Sequence, residues 1–204
     1  MLLKPFFNLY CTGMETLNFS LENFPTLLQQ LASSEVIILP TDTSYGFSAS
    51  PFSASAVEQI QTLKKRPADK PFLLLVADFA MAEEYGAFSP MLTKFAGESW
   101  RENMPPRTLL VPRKDNLPSF FPEFSELGFR VPQYPLLREF LALWGKPLIS
   151  TSANISGNTP IFSAEEIERQ FSDSKLSFAS AGNLPPASPS EIWRETAAGL
   201  KRLR

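Results

Sequence analysis

Six short apolar runs recur along the chain, separated by stretches with helical spacing. "VIIL" (36–39), "FLLLV" (72–76), "RTLLV" (107–111), "GFRV" (128–131), "KPLIS" (146–150) and "LSFAS" (176–180) are too short for buried helices. Their aliphatic and aromatic content reads as buried strands, with "SEIW" (190–193) a weaker one. Between them, Leu21, Phe24, Leu27, Leu28, Leu31 and Ala32 follow a helical repeat, with Pro25 tolerable in its first turn. Ser55 with Glu58 and Ser163 with Glu166 have capping-box spacing, and Asp78 is placed to cap another short helix. "PLLREFLALWG" (135–145) has Pro at its first turn and Gly just past its end. Strands alternating with helices, without a repeat or a linker, predict one α/β domain around a twisted sheet.

Composition narrows the function classes. Of 204 residues 44% are hydrophobic and 20% charged, which suits a single core and excludes a disordered chain. Nineteen basic residues against 21 acidic ones give a net charge of −2. A protein whose main task is holding duplex nucleic acid shows a basic excess, so any phosphate binding here needs locally clustered cations. His is absent, and Cys11 is the lone Cys. The commonest general acid–base, an internal disulfide and a zinc site are thereby excluded, and a reducing, cytoplasmic setting is expected. Residues 1–14 are apolar but broken by Lys4, Pro5 and Asn8, and read as an N-terminal extension ahead of a domain over 15–204. No run approaches the roughly 20 apolar residues of a membrane span.

Three polar constellations stand out. "PTDTSYGF" (40–47) follows the first strand. In extended geometry Thr41, Thr43 and Tyr45 share one face, and Asp42 and Ser44 the other. Ligand sites of open α/β sheets lie at such strand ends. A turn in which Asp42 and the Thr hydroxyls bond nearby backbone explains the same residues equally well. "LKKRPADKP" (63–71) ends a helix in three cations. Cations at a helix end are ordinary, but Pro67 biases Arg66 out of helical geometry, which lets Lys64 and Arg66 converge on one anion with Lys70 near. "KPLISTSANISGNTP" (146–160) runs a strand into Ser150, Ser152 and Asn154, which share a face when extended. These neutral groups suit phosphate oxygens or a sugar; a polar loop feeding the Ser163 cap is the plainer reading.

Together, in this order and spacing, the three stretches resemble the YrdC/TsaC family of threonylcarbamoyl-AMP synthases, in its short single-domain form. "STSAN-x-SG" is the most specific element, and the likeness runs from about Leu17 to the end. The resemblance implies a YrdC-like twisted mixed sheet flanked by helices, with a large concave groove. It implies L-threonine, bicarbonate and ATP as substrates, Mg2+ with the nucleotide, pyrophosphate release, and partner proteins that move the threonylcarbamoyl group onto tRNA. By resemblance, Thr43, Tyr45, Arg66, Arg130 and Ser190 bind substrate. Lys64 and Arg66 form a catalytic K-x-R pair. Lys64, Thr108, Ser152, Asn154 and Arg202 hold the nucleotide. Asp42 is a candidate general base.

The chain also departs from the family pattern. "NMPPRT" (103–108) replaces a usual "WPGP-x-T", Gln133-Tyr134-Pro135 replaces Asp-His-Pro, Arg194 stands where an Asp is common, and the last residues read Arg202-Leu203-Arg204. Two other functions fit the same resemblance: a module binding double-stranded RNA or tRNA, and a weakly active nucleotide-binding paralogue. Arg66→Ala is expected to lower adenylate formation at least about tenfold in a folded protein, equivalent to about 1.4 kcal/mol. Undiminished pyrophosphate release by that variant would remove Arg66 from the site.

Overall fold

The structure, a computed structural model, describes residues 13–64, 72–154 and 158–204. Ten strands and six helices follow one another among these residues. They are β1 (Glu15–Asn18), α1 (Phe24–Ala32), β2 (Ile37–Pro40), β3 (Tyr45–Ala49), α2 (Ala54–Lys64), β4 (Leu73–Leu75), α3 (Phe79–Tyr85) and α4 (Pro90–Ser99). Then come β5 (Arg107–Pro112), β6 (Glu126–Arg130), α5 (Pro135–Trp144), β7 (Leu148–Ser152), α6 (Ala164–Phe171), β8 (Ser177–Ser180), β9 (Glu191–Thr196) and β10 (Gly199–Arg202). The strands form one mixed sheet in the order β1-β8-β2-β3-β7-β4-β6-β5-β9-β10. None of the helices among the described residues is long and apolar enough to cross a membrane.

Alternation along the strands sends side chains to two separate cores. Ile38, Leu74 and Ile149 face one side, where α2, α3, α4 and α6 pack. Ile37, Leu39, Leu75 and Leu148 face the other, under α1 and α5. There Phe24 and Phe140 meet edge-to-face at 4.9 Å, with Phe19 against both. Such ring pairs add about 0.5–1.5 kcal/mol beyond the area they bury.

Cross-strand partners share a face, so the register shows what lies beyond α1 and α5. Gly46 sits beside Ser152, Ser150 beside Leu73, Leu73 beside Gly128, Gly128 beside Leu110, and Thr108 beside Ile192. Glycines and hydroxyl residues alternate here with Leu73, Leu110 and Ile192, and together they floor a groove.

Each of the seven runs read as strands overlaps one, and the predicted helices form. Details differ. Ser53, not Ser55, caps α2 by accepting from the Ala56 N–H, because the helix starts at Ala54. Ser163 and Asp78 cap as expected, accepting from Glu166 and Met81 N–H. The segment 41–44 is not extended. It is the turn of the β2–β3 hairpin, closed by the Thr41 hydroxyl, which donates to Ser44 O and accepts from the N–H groups of Thr43 and Ser44. "YGFSA" is therefore a strand, fully buried on both faces.

The unusual segments of the sequence meet one another at the β5–β9–β10 edge. The Glu191 carboxylate accepts from Arg107 Nε (2.8 Å) and Trp193 Nε1 (2.9 Å) and forms an ion pair with Arg202 Nη1 (2.9 Å), one partner from each strand. The Arg107 guanidinium also lies over the Phe95 and Trp193 rings. The Trp193 and Arg107 bonds hold the Glu191 carboxyl below its ordinary value. A lowered folded-state value stabilises above the unfolded one, about 4.3, and that stabilisation disappears as pH falls through the folded one. Glu191→Gln is therefore expected to unfold at lower urea than the parent at pH 7, with the gap closing below about pH 4. A gap of equal size at pH 7 and pH 3 would show that the cluster is not a charge effect.

Candidate functional site

The uncovered part of the sheet is the floor of a groove of about 870 Å³, within the range of small-molecule sites. Two glycines keep that floor low. A Cβ on Gly128 would lie 3.0 Å from Thr108 Cγ2, and one on Gly46 would lie 3.1 Å from Ser150 Oγ. Phe72, Leu110, Pro189 and Ile192 give it an apolar wall, and hydroxyls with three cations give it a polar one.

Arg130 ends β6 inside the groove and is 3% exposed. Its Nη2 lies 3.3 Å from Asp42 Oδ1 and 3.4 Å from Thr43 Oγ1. Its Nε has no hydrogen-bond partner. Burial pushes this guanidinium down from its ordinary value, and Asp42 opposes that push. An arginine stays charged under such pressure, so the unfilled donor asks for an anion. Asp42 Oδ2 accepts from the Gln133 N–H, and the carboxylate is otherwise turned to Arg130. It does not line the groove, which corrects its reading as a general base: Asp42 holds Arg130 in place.

Lys64, the last described residue of α2, is buried against the loop after β7. Its ammonium meets Asn154 Oδ1 at 2.6 Å and Ser152 O at 2.8 Å. Ser152 Oγ donates to Asn154 Oδ1 at 2.6 Å, and Asn154 Nδ2 donates to Asn158 O. Across the groove, the hydroxyls of Thr108 and Ser190 lie 2.8 Å apart. Thr41 and Thr43 hydroxyls, 3.0 Å apart, rim the Arg130 end.

Thr43, Lys64, Thr108, Arg130, Ser152, Asn154 and Ser190 thus converge on one groove. Arg66 and Lys70 lie outside the described residues. Two expected residues point elsewhere. Tyr45 faces away from the groove, since its neighbour Gly46 faces in. Its buried hydroxyl donates to Gly182 O (2.7 Å) and accepts from the Ala181 N–H (2.9 Å), fixing the turn after β8. Burial raises its pKa. Arg202 turns to Glu191 on the opposite face of the edge.

Arg204 lines the groove in its place. Alternation alone would aim Arg202 and Arg204 alike. Past β10, however, the Leu203 N–H donates to Ile192 O while the Ile192 N–H donates to Arg204 O. Two residues then oppose one, a bulge that re-aims the chain. Arg204 donates from Nε and Nη2 to Ser190 O at 3.1 and 3.0 Å. Burial and then repulsion from Arg130 lower its pKa. Among the described residues Lys64, Arg130 and Arg204 line the groove and no Asp or Glu side chain does. This local gathering of cations is hidden by the chain's net charge of −2.

The sequence profile of the Sua5/YciO/YrdC family, described as telomere recombination, matches residues 29–204. The chain belongs to that family. A Yersinia pestis (strain Pestoides F) member named threonylcarbamoyl-AMP synthase is 37% identical over 182 residues, 87% of this chain and 93% of its own. The fold is that of P. abyssi Sua5 complexed with L-threonine (TM-score 0.81, 22% identity over 93% of this chain), of which this chain spans 56%. It is also that of E. coli YciO (TM-score 0.82, 18% identity, 95% of both chains).

Arg204→Gln is expected to weaken binding of inorganic pyrophosphate at least about tenfold, while Arg202→Gln stays within about twofold of the parent. Calorimetric titration separates the two, and the reverse ranking would restore Arg202 to the groove.

Proposed function

We propose that this protein makes threonylcarbamoyl-AMP and pyrophosphate from L-threonine, bicarbonate and ATP. The single observation that carries the reading is the buried Arg130 guanidinium, incompletely paired, in a groove shared with Lys64, Arg204 and the Ser152–Asn154 turn. One end suits the carboxylate of an amino acid, with the Thr41 and Thr43 hydroxyls beside it. The rest suits a polyanion. Relatives bearing the synthase name at 37% identity support the assignment.

The chemistry needs no protein nucleophile. The threonine ammonium gives up a proton, and the free amine condenses with bicarbonate, losing water, to give a carbamate. A carbamate oxygen attacks the α-phosphorus of ATP, the bond from that phosphorus to the β-bridging oxygen breaks, and pyrophosphate leaves. The protein acts by holding the reactants together and by placing positive charge where the phosphate charge shifts. Arg130 and Asp42 orient the amino acid. Arg204, fixed on Ser190 O, faces the anions. Gly128 and Gly46 let the ligand lie against the sheet.

Magnesium would arrive on the triphosphate. The described residues contain no group of three His, Cys, Asp or Glu able to hold a metal, and Asp42 is committed to Arg130. Phosphate oxygens would be its ligands. The product would pass to proteins that transfer the threonylcarbamoyl group to tRNA, which implies a cytoplasmic site of action.

Pyrophosphate release by the purified protein tests the reading. It is expected to require threonine and bicarbonate together, and to fall to background when either is omitted. Thr43→Val is expected to raise the apparent KM for threonine about tenfold, the scale of one lost hydrogen bond at a site built for a hydroxyl. Release independent of threonine would overturn the substrate. Salt-sensitive RNA binding without any release would favour an RNA-binding module.

A further inference from the structure

Lys64 stands in the groove like a phosphate ligand, but its bonds run elsewhere. Nζ lies 2.8 Å from Ser152 O, 2.8 Å from Asn154 O, 2.6 Å from Asn154 Oδ1 and 3.3 Å from Ser152 Oγ. An ammonium has three N–H donors. These four oxygens already outnumber them, at a residue 4% exposed. A phosphate oxygen would have to displace one of them.

The acceptors explain why the ammonium sits there. The strand β7 ends at Ser152, and the chain turns at once, with the Asn154 N–H closing on Ser152 O. Two main-chain carbonyls, Ser152 O and Asn154 O, then point inward at one spot. Inward-pointing buried carbonyls without a donor are costly. Lys64, delivered by the last turn of α2, donates to both from 88 and 90 residues away, adding to the Asn154 N–H at Ser152 O. It also fixes the Asn154 amide. With Lys64 and the Ser152 hydroxyl both on Oδ1, Nδ2 is left to hold Asn158 O.

We propose that Lys64 is a positioning residue. Its ammonium pins the Ser152–Asn154 turn to the end of α2 and gives that turn the shape that lines the groove, and it does not ligate phosphate itself. The inference rests on the nucleotide-binding reading of the groove, and the test keeps the two apart.

A double-mutant cycle on ATP binding, without threonine, decides it. Lys64→Met and Asn154→Ala are each expected to weaken ATP at least about tenfold. If Lys64 acts through the turn, the double variant binds no more than about threefold worse than the weaker single variant. Factors that multiply in the double variant would overturn the proposal, since Lys64 would then contribute on its own. A Lys64→Met protein that binds ATP like the parent would overturn it too. Amide hydrogen exchange of the unliganded protein is the second arm. Exchange in a peptide spanning 152–154 is expected to speed up at least about tenfold in Lys64→Met, and unchanged exchange there removes the pin. This arm holds even if the parent binds no ATP, an outcome that sinks the nucleotide reading alone. Should Lys64→Met fail to fold, Lys64→Gln, which keeps an N–H donor without the charge, takes the same measurements. Lys64→Gln is then expected to speed the exchange above that of the parent and to show the same lack of multiplication with Asn154→Ala, and exchange equal to the parent's removes the pin.

Discussion

One face of the sheet is longer than the helices that cover it. The helices α1 and α5 close over Ile37, Leu39, Leu75 and Leu148 and go no further. Beyond them the same face continues through Ser152, Ser150, Leu73, Gly128 and Thr108 with none of the described helices on it. The groove is thus a stretch of sheet that those helices leave uncovered, and its polar side chains reach it from the strands, from the turns beside them and, for Lys64, from the end of α2. On the opposite face α2, α3, α4 and α6 pack over Ile38, Leu74 and Ile149.

An uncovered sheet centre sets the electrostatics. Side chains that point into it are shielded by the walls without being paired inside them. Arg130 shows the consequence most plainly: it is buried, it has one carboxylate partner, and it retains an unfilled donor. A charge in that position is tolerated because Asp42 partly offsets its desolvation, and it is available because the offset is incomplete. Lys64 shows the contrary case. Its donors are taken up by the protein, so its charge reaches the groove only as a field. Two buried cations a short way apart thereby serve different ends, and their hydrogen bonds distinguish them where their burial does not.

The departures from the family pattern become intelligible at the edge of the sheet. Arg107 falls in a segment that differs from the usual motif, and it bonds to Glu191, as Arg202 does, on the side away from the groove. The edge that presents Ser190, Ile192 and Arg204 is therefore tied together by Arg107 of the altered "NMPPRT" segment with Glu191 and Arg202, two residues in stretches that match the family. Arg194 pairs with Glu126 in the same region. Arg107 and Arg194 thus each have a carboxylate partner on another strand, and the groove-facing residues between them keep their places.

The strand runs, the main helices and the Asp78 and Ser163 caps were legible in the sequence, because buried aliphatic runs and helical spacing are local signals, whereas the cap of α2 fell on Ser53 and not on Ser55. So were the polar ends of the strands, and with them Thr43, Ser152 and Asn154. The strand β3 was not, since "YGFSA" lacks an aliphatic run and is buried only because β2 and β7 flank it. The orientation of Tyr45 followed from that strand and not from the motif. Nor could spacing choose between Arg202 and Arg204. A one-residue bulge opposite Ile192 decides it, and a bulge depends on hydrogen bonds to another strand. The sequence by itself determined the family, the class of fold and the supply of hydroxyls and cations. Only the tertiary structure decided which of those groups face the ligand and which hold the frame, because both roles use the same residue types and differ solely in what lies across from them.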